Sequence, residues 1–101
     1  MKVFLYDTNL ILASRVRSLL SSQGFEISDK EEACAGVVNL ESPKGLEVVK
    51  ELKEKGKKVV GYCGHKNVPL IQKAKELGVD EVIPNSQVVT SLGEILKKLC
   101  S

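Results

Sequence analysis

Apolar residues follow two different periods, which alternate from one segment of the chain to the next. Short apolar runs predict strands of a largely buried sheet at residues 3–6, 25–28, 36–40, 58–62 and 81–83. Between most of these runs, apolar residues recur every three or four positions, as in amphipathic helices. The helical stripes contain Leu12, Val16, Leu19 and Leu20, then Leu46, Val49 and Leu52, then Leu70, Ile71, Ala74 and Leu77, and finally Leu92, Ile95, Leu96 and Leu99.

Local signals mark where these helices begin and end. Residues 7–9 (DTN) suit the start of the first helix, and a glycine follows each of the first three helices, at Gly24, Gly56 and Gly78. Ser91 and Glu94 have the spacing of a capping box and predict the start of the last helix, although Ser86 offers an earlier start.

Strands and helices that alternate in this way predict right-handed βαβ units and an open parallel sheet covered on both faces. We therefore expect a single α/β domain over residues 1–101 with three layers. One connection is too short for this pattern, because only about eight residues, 28–35, join the second strand to the third. Either the second helix is reduced to a single turn or the second strand is marginal.

Composition and charge exclude several classes of protein. The chain has 43% apolar and 28% charged residues, which is typical of a folded globular domain. A net charge of +2 and the alternation of Lys and Glu over residues 50–55 indicate a solvated helix face, so no nucleic-acid partner is expected. The first apolar run ends at Asp7, so neither a signal peptide nor a membrane contact is expected, and a cytoplasmic location is the expectation.

The cysteines give a weak signal about the redox compartment. Cys34, Cys63 and Cys100 are odd in number and have no CxxC spacing, which is consistent with reduced thiols in a cytosolic protein. A zinc site would require all three cysteines together with His65, from distant segments, and is not favoured.

Several polar residues follow the predicted strands directly. Asp7 and Thr8 follow the first strand, Asn39 ends the third, and Cys63 and Asn85 follow the fourth and fifth. In open parallel sheets, ligands bind outside the carboxyl ends of the strands, so these five residues form the candidate site.

Three segments resemble the receiver (CheY-like) domains of bacterial response regulators: residues 36–43 (GVVNLESP), 46–49 (LEVV) and 78–83 (GVDEVI). The resemblance implies a flavodoxin-like sheet of order 2-1-3-4-5. It also implies roles for the candidate site. Asp7 occupies a magnesium-binding position and Thr8 replaces its acidic neighbour. Asn39 replaces the phosphoacceptor aspartate, Cys63 the hydroxyl residue and Asn85 the lysine, while Val82 replaces an aromatic residue of the fifth strand.

These replacements remove the chemistry of aspartyl phosphorylation. An amide is a poor nucleophile, and a single carboxylate at Asp7 is a weak candidate for Mg²⁺, so no cofactor is expected. Each residue also has a purely structural explanation. Asp7 suits a helix cap, Asn39 suits hydrogen bonding to loop amides, Cys63 suits a buried apolar position, and His65 suits an exposed loop.

The sequence therefore predicts a stand-alone pseudo-receiver, not an enzyme, that acts through protein contacts at the last strand and its two flanking helices. A homodimer stays open. Residues 3–10 (VFLYDTNL) are also similar to the opening of metal-dependent PIN-type ribonucleases, with His65 where a late acid is expected. A third alternative is a small anion- or nucleotide-binding module, because Gly61 and Gly64 flank a turn into a helix.

Overall fold

Five parallel strands form one sheet in the computed structural model, which describes residues 1–101. The strands are β1 (Lys2–Tyr6), β2 (Glu26–Ile27), β3 (Ala35–Asn39), β4 (Lys58–Cys63) and β5 (Glu81–Pro84). Their order is β2-β1-β3-β4-β5, and all four neighbouring pairs are parallel. The predicted fold class and strand order are therefore confirmed.

Four helices cover the two faces of this sheet: α1 (Leu10–Ser22), α2 (Gly45–Glu54), α3 (Val68–Glu76) and α4 (Val88–Cys100). Helices α1 and α4 cover one face, where Leu20 and Leu92 pack against β1, β3 and β4. Helices α2 and α3 cover the other, where Leu52 and Ala74 pack against β3 and β4. Because side chains alternate along a strand, Tyr62 packs with the first group and its neighbour Cys63 with the second.

The first helix is capped by an asparagine and the first three helices are followed by glycines. Asn9 Oδ1 accepts a hydrogen bond from Leu12 N at 3.1 Å, so Asn9, and not Asp7, is the cap of α1. Gly24, Gly56 and Gly78 have φ of 86°, 75° and 91°, the left-handed region in which a side chain is unfavourable. The predicted helix stops are confirmed.

The predicted start of the last helix at Ser91 is wrong. A short 3₁₀ turn, Asn85–Gln87, follows β5 directly, and α4 begins at Val88. Val88 is fully buried together with Leu92, four residues later, so the apolar stripe that holds α4 on the sheet extends one turn further back than the capping box suggests. Ser91 lies inside the helix, and the earlier start near Ser86 was the better alternative.

The short connection between β2 and β3 contains no helix. β2 has two residues, both exposed, and the chain then makes one turn in which Ala33 N donates to Asp29 O at 3.2 Å. The two alternatives expected for this connection therefore occur together: the second helix is reduced to a turn, and the second strand is marginal. Ala33 is buried and holds this turn against the domain.

The expectation of three reduced thiols is wrong, because Cys34 and Cys100 form a disulfide across 66 residues of sequence. Cys34 lies directly before β3, and α4 ends close to it, with the two Cα atoms 5.7 Å apart. Cys63 is a free, buried thiol at the opposite, carboxyl end of the sheet. The cysteines consequently do not converge on a zinc site. None of the helices has the length and apolar character that crossing a membrane requires.

Candidate functional site

Two of the candidate residues meet at the carboxyl ends of β1 and β3. Asn39 Nδ2 donates a hydrogen bond to Asp7 Oδ1 at 3.0 Å. β1 and β3 are paired in parallel, from Val3 opposite Ala35 to Tyr6 opposite Val38. The next residue of each strand is Asp7 or Asn39, so these two side chains lie side by side. Asn39 is only 6% exposed, so its amide is a buried donor aimed at a carboxylate.

Both oxygens of the Asp7 carboxylate are occupied by donors from the protein. Besides the Asn39 amide, Oδ1 accepts the backbone N–H of Asn9 at 2.8 Å. Oδ2 accepts the hydroxyl of Tyr62 at 2.5 Å. Three donors from two strand ends and a helix start therefore surround the negative charge of Asp7. Hydrogen bonds of this kind stabilise an ionised carboxylate without a cation.

Tyr62 is a member of this network that the sequence pattern did not single out. Its side chain is fully buried, and burial raises the pKa of the phenol, with a further rise from the hydrogen bond to Asp7. The hydroxyl therefore stays protonated and acts as a donor. The alternation of side chains along the strands could have predicted this contact. Asn39 and Tyr62 are register partners, and both point to the face covered by α1 and α4.

The other end of the Asn39 amide fixes the orientation of the loop after β3. Asn39 Oδ1 accepts the backbone N–H of Glu41 at 3.0 Å. The loop then folds back so closely that a Cβ on Gly45 would lie 2.9 Å from the Asn39 carbonyl oxygen, which requires a glycine at this position. The Asn39 side chain thus donates to Asp7 and accepts from Glu41 at the same time. The bond to Glu41 is the hydrogen bond to a loop amide that was expected for Asn39.

Thr8 lies beside this network but bonds to a different residue. Its backbone N–H and its hydroxyl both donate to Ser42 Oγ, at 3.0 Å and 3.1 Å. Ser42 is 7% exposed and sits in the loop after β3. The pair joins the two loops that carry Asp7 and Asn39. Ser42 was not among the candidate residues, because nothing in its local sequence distinguishes it from an ordinary loop serine.

Cys63 and Asn85 do not join the Asp7 network. Cys63 is 1% exposed and packs among the apolar residues under α2 and α3, and burial raises the pKa of its thiol, with an added effect of the Glu41 carboxylate. Asn85 lies in the 3₁₀ turn, where its Oδ1 is buried and has no hydrogen-bond partner. It borders a shallow depression of about 400 Å³ together with Asn9 and Arg15.

The donor set around Asp7 does not suit Mg²⁺. A magnesium site in a protein usually offers one or two carboxylates and free oxygen ligands. Here Asp7 is the only carboxylate in the network, and its oxygens already accept three hydrogen bonds. No group of three or more His, Cys, Asp or Glu side chains is placed to hold a metal ion. The ribonuclease alternative, which needs several carboxylates around a metal, finds no support in this geometry.

The turn before α3 also disfavours an anion. A Cβ built on Gly64 would lie 3.5 Å from Glu41 Oε2, and Asn67 Nδ2 donates to the same carboxylate at 3.3 Å. A phosphate at this helix start would therefore meet a negative charge. Gly61 has a packing role instead, because a Cβ there would lie 2.9 Å from the side chain of Leu40.

Comparison with solved structures identifies the fold. A response regulator receiver domain protein from Clostridium thermocellum superposes with a TM-score of 0.86, at 15% identity, over 98% of this chain and 93% of its own. The receiver domain of a sensor histidine kinase from Pseudomonas aeruginosa, solved with a magnesium ion in its active-site cleft, gives 0.82 at 12% identity, over 98% and 96%. A DNA-binding response regulator of the LuxR family from Staphylococcus aureus gives 0.78 at 22% identity, over 99% and 98%.

These neighbours share a fold with the chain at low sequence identity. The chain has the CheY-like, flavodoxin-like α/β fold of receiver domains. No protein-family profile matches it, and no curated protein matches it either.

Proposed function

We propose that this protein is a receiver-like regulatory domain that works through protein contacts and does not undergo aspartyl phosphorylation. The observation that carries the proposal is the 3.0 Å hydrogen bond from Asn39 Nδ2 to Asp7 Oδ1 within a receiver fold. In receiver domains, which the chain resembles, the position of Asn39 holds the aspartate that accepts the phosphoryl group. Here it holds a buried amide donor.

The chemistry of the network supports this proposal. An amide has neither the charge nor the nucleophilicity to attack a phosphoryl donor, and phosphoryl transfer also needs cationic groups around the transferred phosphate. The Asp7 network contains no lysine or arginine. Asn85, at the position expected for a lysine, makes no hydrogen bond to it. The donors of Asn39, Tyr62 and Asn9 stabilise the Asp7 carboxylate in place of a metal ion.

The proposed contact surface is β5 with its flanking helices α3 and α4, and exposed apolar side chains support a role in contacts. Val68 on α3 is 54% exposed and Val89 on α4 is 56% exposed. A partner that binds here would bury these side chains and gain the free energy of removing them from water. At the start of α1, outside this surface, Leu10 and Ile11 are 80% and 73% exposed.

Incubation with acetyl phosphate and Mg²⁺, followed by intact mass spectrometry, tests the absence of phosphorylation. We expect no gain in mass for the native protein. The variant Asn39→Asp provides the comparison, because it restores a carboxylate beside Asp7. A gain of one phosphoryl group on the native chain, lost on acid or base treatment of the acyl phosphate, would contradict the proposal.

A further inference from the structure

A cavity of about 250 Å³ lies between α3 and β5, on the face of the sheet opposite Tyr62. It is half enclosed. Its apolar walls are formed by Ile71 of α3 and by Val82 and Pro84 of β5. An engineered cavity of about 150 Å³ in another protein is large enough for benzene, so this space admits the body of a small organic molecule.

The cavity exists because the residues on both sides of it are small or loosely packed. β5 is an edge strand, so only one side of it is paired. Val82 has too little volume to fill the space towards α3. The helix itself has nine residues, of which only Ala74 is fully buried. A molecule that enters here meets apolar side chains without displacing a tightly packed core.

The charged groups at the cavity select the kind of molecule. Lys75 lines it and takes part in no ion pair or hydrogen bond, whereas four other lysines of the chain are paired with carboxylates. His65 also lines the cavity and is exposed, and none of the lining residues is acidic. The negative charge nearby belongs to Glu41, since a Cβ on Gly64 would lie 3.5 Å from its Oε2 and its carboxylate helps to raise the pKa of Cys63. A ligand carboxylate is therefore expected at Lys75 and not at the Gly64 end of the cavity. Cys63 adds a thiol that burial keeps neutral. An apolar wall with an unpaired cation favours an anion with an apolar body.

We propose that this cavity binds a small organic carboxylate, whose aromatic or aliphatic body lies against Ile71 and Val82 and whose carboxylate pairs with Lys75. The site is separate from the Asp7 network and does not depend on the signalling role proposed above. Such a ligand would connect α3 to the edge strand of the sheet.

Phenylacetate is a suitable probe, with phenylacetamide as the neutral molecule of the same shape. Methyl NMR spectra of the full chain, titrated with each compound, report on Ile71 and Val82 directly. We expect saturable shifts of these methyl groups with phenylacetate and at least about fivefold weaker binding of the amide, the magnitude of a partly exposed ion pair. Lys75→Gln should weaken phenylacetate binding by a similar factor, whereas Lys73→Gln, on the same helix but outside the cavity, should not.

Three outcomes would overturn the proposal. The first is the absence of saturable shifts at these methyl groups. The second is equal binding of phenylacetate and phenylacetamide, because the cation would then have no role. The third is a set of shifts at the same methyl groups on raising the protein concentration alone, which would show that a second copy of the chain fills the cavity. Val82→Phe places a larger side chain in the cavity and should abolish the shifts of Ile71. If this variant does not fold, the comparison of Lys75→Gln with Lys73→Gln tests the proposal instead.

Discussion

Replacing Asn39 by Asp tests the role assigned to the buried amide. The substitution removes the donor to Asp7 and places a second carboxylate where the amide nitrogen lies 3.0 Å from Asp7 Oδ1. Two like charges about 4 Å apart repel by roughly 4 kcal/mol at the effective dielectric of a protein surface. Because Asp7 is partly exposed, we expect the free energy of unfolding to fall by about 2–4 kcal/mol at pH 7.

The penalty should depend on pH and on cations. Repulsion raises the pKa of one carboxyl of the pair, so that at about pH 4 it becomes protonated and can donate to the other, and most of the lost stability should return. Mg²⁺ should stabilise Asn39→Asp, which offers two adjacent carboxylates, and leave the native protein unchanged. Urea unfolding at both pH values, with and without Mg²⁺, measures each effect.

Asn67→Asp is the matched control. Asn67 Nδ2 donates to Glu41 Oε2 at 3.3 Å in an exposed position, so the same change of charge there should cost less than about 1 kcal/mol. If Asn39→Asp were as stable as the native protein at pH 7, or if its loss of stability were the same at pH 4, the amide would not have the role described here.

Other predictions concern groups that stabilise the fold. Burial raises the pKa of Tyr62, so only the unfolded chain ionises this phenol above about pH 10; native stability should fall there with rising pH, less so in Tyr62→Phe, as measured by urea unfolding. Burial opposes ionisation of Asp80, but hydrogen bonds from Lys53 Nζ and Val59 N lower its pKa. Its contribution to stability is therefore lost as the pH falls below about 4, and Asp80→Asn should flatten the acid side of the stability profile. Reduction of the Cys34–Cys100 disulfide should lower the unfolding free energy by about 4 kcal/mol, and an unchanged urea midpoint with reductant would contradict this.

Local patterns were sufficient to predict most of the fold. The two alternating periods gave the number, type and order of the elements, because buried strands and one-sided helices leave different spacings of apolar residues. The start of α4 was predicted wrongly for a physical reason. Ser91 has the sequence of a cap, but burial of Val88 beside Leu92 contributes more to stability than a cap at Ser91 would.

Contacts between distant segments were harder to predict. The sequence indicated that residues 7 and 39 would meet, since both end neighbouring strands, and they do. It gave Cys63 as the residue of β4 at this site, whereas the alternation of side chains turns Cys63 to the opposite face and brings Tyr62 to Asp7. The disulfide joins residues 66 apart, and no local pattern carries information about such a pair.

A crystal structure of the protein grown with Mg²⁺ and beryllofluoride tests the central claim most directly, since beryllofluoride binds to a carboxylate in the manner of a phosphoryl group. If protein donors satisfy the Asp7 carboxylate, Asp7 Oδ1 should still accept a hydrogen bond from Asn39 Nδ2 at about 3 Å in this crystal. Neither Mg²⁺ nor beryllofluoride should be bound to either residue. A metal ion coordinated by Asp7, or beryllofluoride seated against residue 39, would contradict it.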